Sequence, residues 1–184
     1  RDLHASLAPS EMCIRDRSSA FLLFVGDLNR AQNGVHMHTE KFYPEGTENL
    51  LISSVDAALA GQNTLLAAES LGYGGVIIGL VRYAASQIAE LFKLPDYTYP
   101  VFGIALGTPN QNHAVKPRLP YEAVVFEEEY REQDCSTIQA YDRVQTEYAG
   151  ERAKETWSQR LAAQFGQEPN QAIDQLFKEK KLEK

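Results

Sequence analysis

A chain of 184 residues, 43% of them hydrophobic, has the length of one domain and enough apolar side chains for a globular core. A net charge of −7 and an isoelectric point near 5.1, with no basic stripe, speak against a nucleic-acid partner, because neutralising phosphates requires lysines and arginines gathered on one face. The two cysteines, Cys13 and Cys135, stand far apart without a CxxC or histidine-rich context, so neither a disulfide framework nor a zinc ribbon is expected, and a reducing cytoplasm is the default.

Residues 1–17 show no helical or strand periodicity and lack the layout of a signal peptide. Their "PSEMCIRDR" resembles a translated sequencing-adapter read-through, with a disordered natural tail as the alternative, so these residues are set aside as a leader. "AFLLFVGDL" then predicts a buried strand ended by Gly26 and Asp27. The polar, Gly- and Pro-punctuated "NRAQNGVHMHTEKFYPEG" predicts a long surface loop.

Thr47 is placed to cap a long helix with Glu48 in its first turn, where the helix dipole favours a carboxylate. Leu51, Val55, Leu59, Gln62 and Leu66 recur at helical spacing along it, while Ala57, Ala58, Ala60 and Gly61 would let another helix approach closely. Asp56, Gln62 and Asn63 make this apolar stretch too polar for a bilayer span, so no membrane is expected. Gly72 suits a left-handed helix end.

"YGGVIIG" predicts a buried strand, "SQIAELFKL" a helix stopped by Pro95 and Asp96, and "YPVFGIALG" a third strand. After the loop "TPNQNHAVKPRLP", the segment "YEAVVFEEEY" reads as half strand and half charged surface, and helices follow around "ETWSQRLAAQF" and "NQAIDQLFKEKKLEK". Strands interleaved with helices but without regular βαβ spacing predict an α+β fold.

The glycines of "AAESLGYGGVIIG" admit two readings: tight turns with close helix-to-sheet packing, or a main chain bared for a ligand. They do not spell GxGxxG, so a dinucleotide fingerprint is unsupported. In "KPR", Pro117 favours an extended chain, in which Lys116 and Arg118 point the same way and would converge on one anion. His36, His38 and Glu40 share a face if extended, yet without a second ligand pair no metal site is expected.

Taken in order, "AAESLGYGGVIIG", "KLPDYTYPVFGIALGTP" and "KPRLP" resemble the FMN-dependent nitroreductase family, in its NADPH-linked, oxygen-insensitive nitroreductase and flavin reductase branch. The resemblance runs from about residue 20 to residue 160. It implies a mostly antiparallel central sheet flanked by helices, in a dimer. It also implies a partial nitroreductase-like domain over residues 18–184 with a helical C-terminal extension, whose N-terminal flavin-phosphate segment has no counterpart here.

By the same resemblance, the backbone at Ile77, Ile78, Gly79 and Leu80 lies along the edge of the FMN ring, and Lys116, Pro117 and Arg118 meet the FMN phosphate. Leu80 replaces a second glycine common at that place. Arg82 matches an arginine at the active-site mouth, with a surface ion pair as the alternative. Arg152 and Lys154 are the candidates for the 2′-phosphate of NADPH, and Glu48 falls where relatives often bury a glutamate. The implied reaction passes hydride from NAD(P)H through the flavin to a small planar electron-poor acceptor, such as a nitroaromatic, a quinone or a free flavin. No catalytic side chain is expected, since the cofactor carries the chemistry. The rival reading is a non-catalytic flavin-binding or structural dimeric remnant.

Overall fold

The computed structural model describes residues 18–109 and 115–183. The predicted leader lies outside the described residues. These residues divide into two compact units, one of residues 18–109 and 170–183, the other of residues 115–169.

The first unit is built on a three-stranded antiparallel sheet, β1 (Ala20–Asp27), β2 (Gly74–Ile78) and β3 (Thr98–Gly107), in the order β1-β3-β2. β3 is central and nearly continuously buried, as its apolar run requires. Its Pro100 has no N–H to give a ladder, and the sheet accommodates it with an irregularity: Phe24 pairs with Phe102 and Val25 with Pro100, leaving Val101 without a partner on β1. β2 was expected to be buried, but it is an edge strand, and Ile77 is 48% exposed.

The segment expected as one long loop contains helix α1 (Asn29–His36). Asp27 accepts hydrogen bonds from the Arg30 backbone N–H at 3.1 Å and from its guanidinium at 3.0 Å, which fixes the first turn where the apolar pattern gave no sign of a helix. The long helix α2 (Thr47–Ser70) begins after Gly46 rather than at a threonine cap, with Glu48 in its first turn, and Gly72 follows its end at φ 84°.

The two faces of α2 are exchanged relative to expectation. Ser53, Ala57, Gly61 and Ala68 are buried, whereas Leu51, Val55, Leu59 and Leu66 are exposed. The reason is the aromatic underside of the sheet. Phe102, stacked on Phe24 at 4.9 Å, lies against the helix at Gly61, where a Cβ would stand 2.3 Å from its ring. Ser53 and Ser54 each share a 2.8 Å hydrogen bond with the Tyr99 hydroxyl. Although expected to be too polar for a bilayer, α2 is long and apolar enough to cross one by length and composition alone, at mean hydropathy 1.2, while its small-residue face belongs to this core.

A 3₁₀ turn (Gly79–Ala84) leads from β2 into α3 (Ala85–Leu91). The last helix of the chain, α6 (Ala172–Glu179), returns to this unit and buries Leu176 fully, as does Leu182 beyond it, in a cluster with Leu28, Ala85, Ala89 and Tyr99. Lys180 Nζ donates to the Leu94 carbonyl at 2.5 Å, and the Tyr97 N–H donates to Lys180 O at 2.9 Å, which fastens the C-terminal segment to the turn before β3.

The second unit holds α4 (Cys135–Ala149) and α5 (Trp157–Phe165), joined by a 3₁₀ turn (Gly150–Arg152). α4 was not anticipated. Asp134 caps it, accepting from the N–H groups of Ser136 and Thr137, and Tyr141 and Gln145 form its buried side. The expected half strand over "YEAVVFEEEY" is instead a 3₁₀ turn (Tyr121–Ala123) followed by irregular chain, with Tyr121, Val124 and Tyr130 exposed. No other strand lies beside it in the second unit among the described residues, so an isolated strand there has nothing to pair with.

Candidate active site

In the first unit the expected ring-contacting segment is the end of β2 and the turn that follows. Ile78 is buried in a cluster with Val81, Ala84, Ile88 and Ala105, which fixes the strand end, while Leu80 packs half-buried against that cluster and Ile77 points out. Because β2 is the sheet edge among the described residues, one side of its backbone has no strand partner there. An apolar surface beside the backbone of a sheet edge suits a flat, polar-edged ring, so these residues fit a flavin.

Arg82 follows because the turn brings it back onto Gly79 and β3. Its Nη1 donates to the Val101 carbonyl at 2.5 Å, at the residue that the sheet irregularity leaves unpaired toward β1. A Cβ on Gly79 would sit 3.2 Å from Arg82 Nη2. Glycine at 79 therefore makes room for an arginine side chain as well as baring its own main chain. Among the described residues Arg82 has no ion-pair partner. Glu48, expected at a place where relatives bury a glutamate, is exposed.

In the second unit Pro117 is fixed through its carbonyl, which accepts from Gln145 Nε2 at 2.8 Å and from the Tyr141 hydroxyl at 3.2 Å. Gln145 Nε2 also donates to the Tyr141 hydroxyl at 2.7 Å, which ties the two buried polar side chains of α4 together. Lys116 and Arg118 flank this anchor and fall on different hollows along α4. Arg118 lines one of about 440 Å³ with Ser136, Thr137 and Tyr141; Lys116 lines one of about 560 Å³ with Gln145, Arg152, Lys154, Glu155 and Arg160. Two residues of extended chain span about 6.6 Å. Laid along a helix rising about 1.5 Å per residue, that displacement amounts to about four helix positions. Lys116 and Arg118 thus line two hollows on either side of the Pro117 anchor.

The cleft at Lys116 thus gathers Arg152 and Lys154, expected on sequence grounds, with Arg160, which was not. Arg152 Nε donates to the Ala149 carbonyl at 3.3 Å, and its guanidinium lies 5.9 Å from the centre of the Tyr148 ring. Arg160 was missed because it lies in α5 with no motif around it, and only the folding of α4 and α5 brings it to the cleft. No group of three metal-ligating side chains lies together among the described residues, and His36, His38 and Glu40 are exposed.

Comparison with known proteins covers nearly the whole chain. Residues 5–108 match the nitroreductase family and residues 116–184 the nitroreductase family C-terminal domain, the first match taking in most of the segment set aside as a leader. The chain is 43% identical to FMN reductase [NAD(P)H] of Bacillus subtilis over 158 residues, 82% of this chain and 64% of that protein. It is 39% identical to the oxygen-insensitive NADPH nitroreductase of Salmonella typhimurium, covering 79% of this chain and 60% of that protein. Among solved structures, B. megaterium NfrA2 superposes with a TM-score of 0.85 at 32% identity, over 91% of this chain and 70% of that one. The chain spans less than two thirds of the length of these two sequence relatives.

Proposed function

This chain belongs to the nitroreductase family, and from that premise we propose that it is, or is part of, an FMN-dependent oxidoreductase that passes hydride from NAD(P)H to nitroaromatics, quinones or free flavins. The observation that carries the reading is the 43% identity to an FMN reductase across 158 residues. When bound, FMN supplies the hydride relay between donor and acceptor. The protein's part is to bind and orient. In the first unit Ile77, Ile78, Gly79 and Leu80 offer the ring an apolar bed and backbone donors. In the second unit Lys116, Pro117 and Arg118 are the residues for the flavin phosphate, and Arg152 and Lys154 those for the nucleotide. Arg82 is the remaining cation of this reading; its bond to Val101 leaves the rest of its exposed guanidinium for an anionic group. The same reading takes the protein to be a cytoplasmic homodimer.

The test is flavin retention followed by reduction. Purified protein mixed with FMN and passed over a desalting column should stay yellow, and NADPH should bleach it in a stopped-flow cell. Replacing both Lys116 and Arg118 by Ala should weaken FMN binding by about 2 to 4 kcal/mol, from two charge-assisted contacts. A protein that stays colourless at micromolar FMN would support the non-catalytic remnant or a fragment of the site instead.

A further inference from the structure

We propose that α6, through Leu176 and Phe177, is the element that positions the ring-contacting turn Gly79–Ala84 and the guanidinium of Arg82. The proposal rests on the flavin reading for what the turn binds, and on packing alone for what holds it. α6 lies against both that turn and α3. Leu176 is fully buried in one cluster with Ala85, the first residue after the turn, and with Tyr99 of β3. Ile173, Phe177 and Val101 pack against the same cluster. The Phe177 ring meets the Tyr99 ring edge to face at 5.1 Å, one residue before Pro100, where the pairing of β3 with β1 is irregular. Val101 is the residue left unpaired there, and its carbonyl accepts from Arg82 Nη1 at 2.5 Å. α6 therefore supports both attachments of the turn: Ala85, where it enters α3, and the β3 residue that Arg82 grips.

The backbone beside this contact is strained, and the strain is held by the residues just after α6. Tyr97 has φ 62° and Lys181 φ 57°, left-handed values uncommon for residues other than glycine. The Tyr97 N–H donates to Lys180 O and the Tyr97 carbonyl accepts from the Leu28 N–H, each at 2.9 Å. Lys180 Nζ reaches the Leu94 carbonyl and Lys181 Nζ the Asp96 carboxylate, each at 2.5 Å. Residues in such conformations persist where their surroundings over-determine them. The entry to β3 is thus set by the same segment that braces Val101. On α3 the Ser86 hydroxyl donates to Glu179 of α6 at 2.9 Å, an exposed link next to Ala85. Val81 and Ala84 anchor the inner side of the turn in a cluster with Ile78 and Ile88, and α6 fixes the side that carries Arg82.

Hydrogen exchange of the full chain, read by mass spectrometry, tests the packing without flavin, and FMN titration tests its consequence. Phe177→Ala should speed exchange over residues 79–85 about tenfold while leaving β1 and the interior of α2 as in the parent. Phe177→Tyr, which keeps the ring, should restore the parent pattern. Glu179→Ala, which removes the exposed bond to Ser86, should fold with the parent and give a smaller change in the same segment. In the titration Phe177→Ala should raise the Kd for FMN about fivefold, and this loss should largely vanish in an Arg82→Ala background, because both changes release the same turn. Three results would overturn the proposal: unchanged exchange over 79–85 in Phe177→Ala, an equal acceleration throughout the first unit, or a full additional loss of FMN affinity in the Arg82→Ala background. Should Phe177→Ala fail to fold, Glu179→Ala decides by the same exchange measurement. If the parent binds no FMN, the flavin reading falls, and the exchange pattern alone decides whether α6 holds the turn.

Discussion

At the scale of single residues, two glycines show how close approach is enforced by what lies opposite. Gly79 faces the guanidinium of Arg82, the end of a flexible side chain that can swing away. Gly61 faces the ring of Phe102, 2.3 Å from where a Cβ would stand, and that ring is held by its stack on Phe24. Gly61→Ala should therefore be costly although alanine is the better helix former. The helix gain is about 1 kcal/mol, and overpacking a locked aromatic costs about 1 to 3 kcal/mol. We expect a net loss in chemical denaturation, relieved by pairing the change with Phe102→Leu. A Gly61→Ala variant as stable as the parent would show that the ring is free to move.

At the scale of elements, the α4–α5 pair depends on one carboxylate. Burial pushes the Asp142 carboxyl up, but bonds from the Ser158 hydroxyl, the Ser158 N–H, the Thr156 hydroxyl and the Trp157 N–H outweigh it and hold the group below its ordinary value. A carboxyl depressed in the folded state adds stability that is fully present above its unfolded value, about 3.9. That stability is lost as pH falls through the folded value. Asp142→Asn should consequently melt lower than the parent at pH 7, with the gap closing below about pH 4. A gap of constant size from pH 7 to pH 3 would show that the contribution is one of shape rather than charge. The sequence also shows why α4 escaped sequence reading while α5 did not. The capping sequence "TWSQ" announces α5 locally, whereas α4 buries a polar pair, Tyr141 and Gln145, that leaves its apolar stripe incomplete.

At the scale of the whole molecule, α2 offers an apolar face that the described residues do not cover. Leu51, Ile52, Val55, Leu59 and Leu66 are all at least half exposed. A row of this kind is larger than monomeric proteins usually leave in water. A second copy of the chain is the partner our functional reading supplies, and a two-fold arrangement would let the same face cover itself. Sedimentation at micromolar concentration should give a dimer, and Val55→Asp with Leu59→Asp should give a folded monomer. A parent protein that sediments as a monomer would contradict this.

The sequence by itself determined the α+β class, the three strand segments, the long helix with its glycine end, and the family, because these rest on local runs of apolar residues and on three short motifs that keep their order. Which face of α2 is core was a tertiary decision. Small and large residues alternate around that helix, and only the aromatic rings of the sheet select the small ones. Which strand forms the sheet edge was decided the same way, since "GGVII" has the composition of a buried strand and becomes an edge only because β3 takes the centre. At the candidate site, Lys116 and Arg118 were legible as a pair of cations. Their separation into two hollows, and the meeting of Lys116 with Arg160 across 44 positions of sequence, depended on the helix against which the extended segment lies. Local chemistry is written along the chain, but the direction in which a side chain faces is set by its neighbours in space.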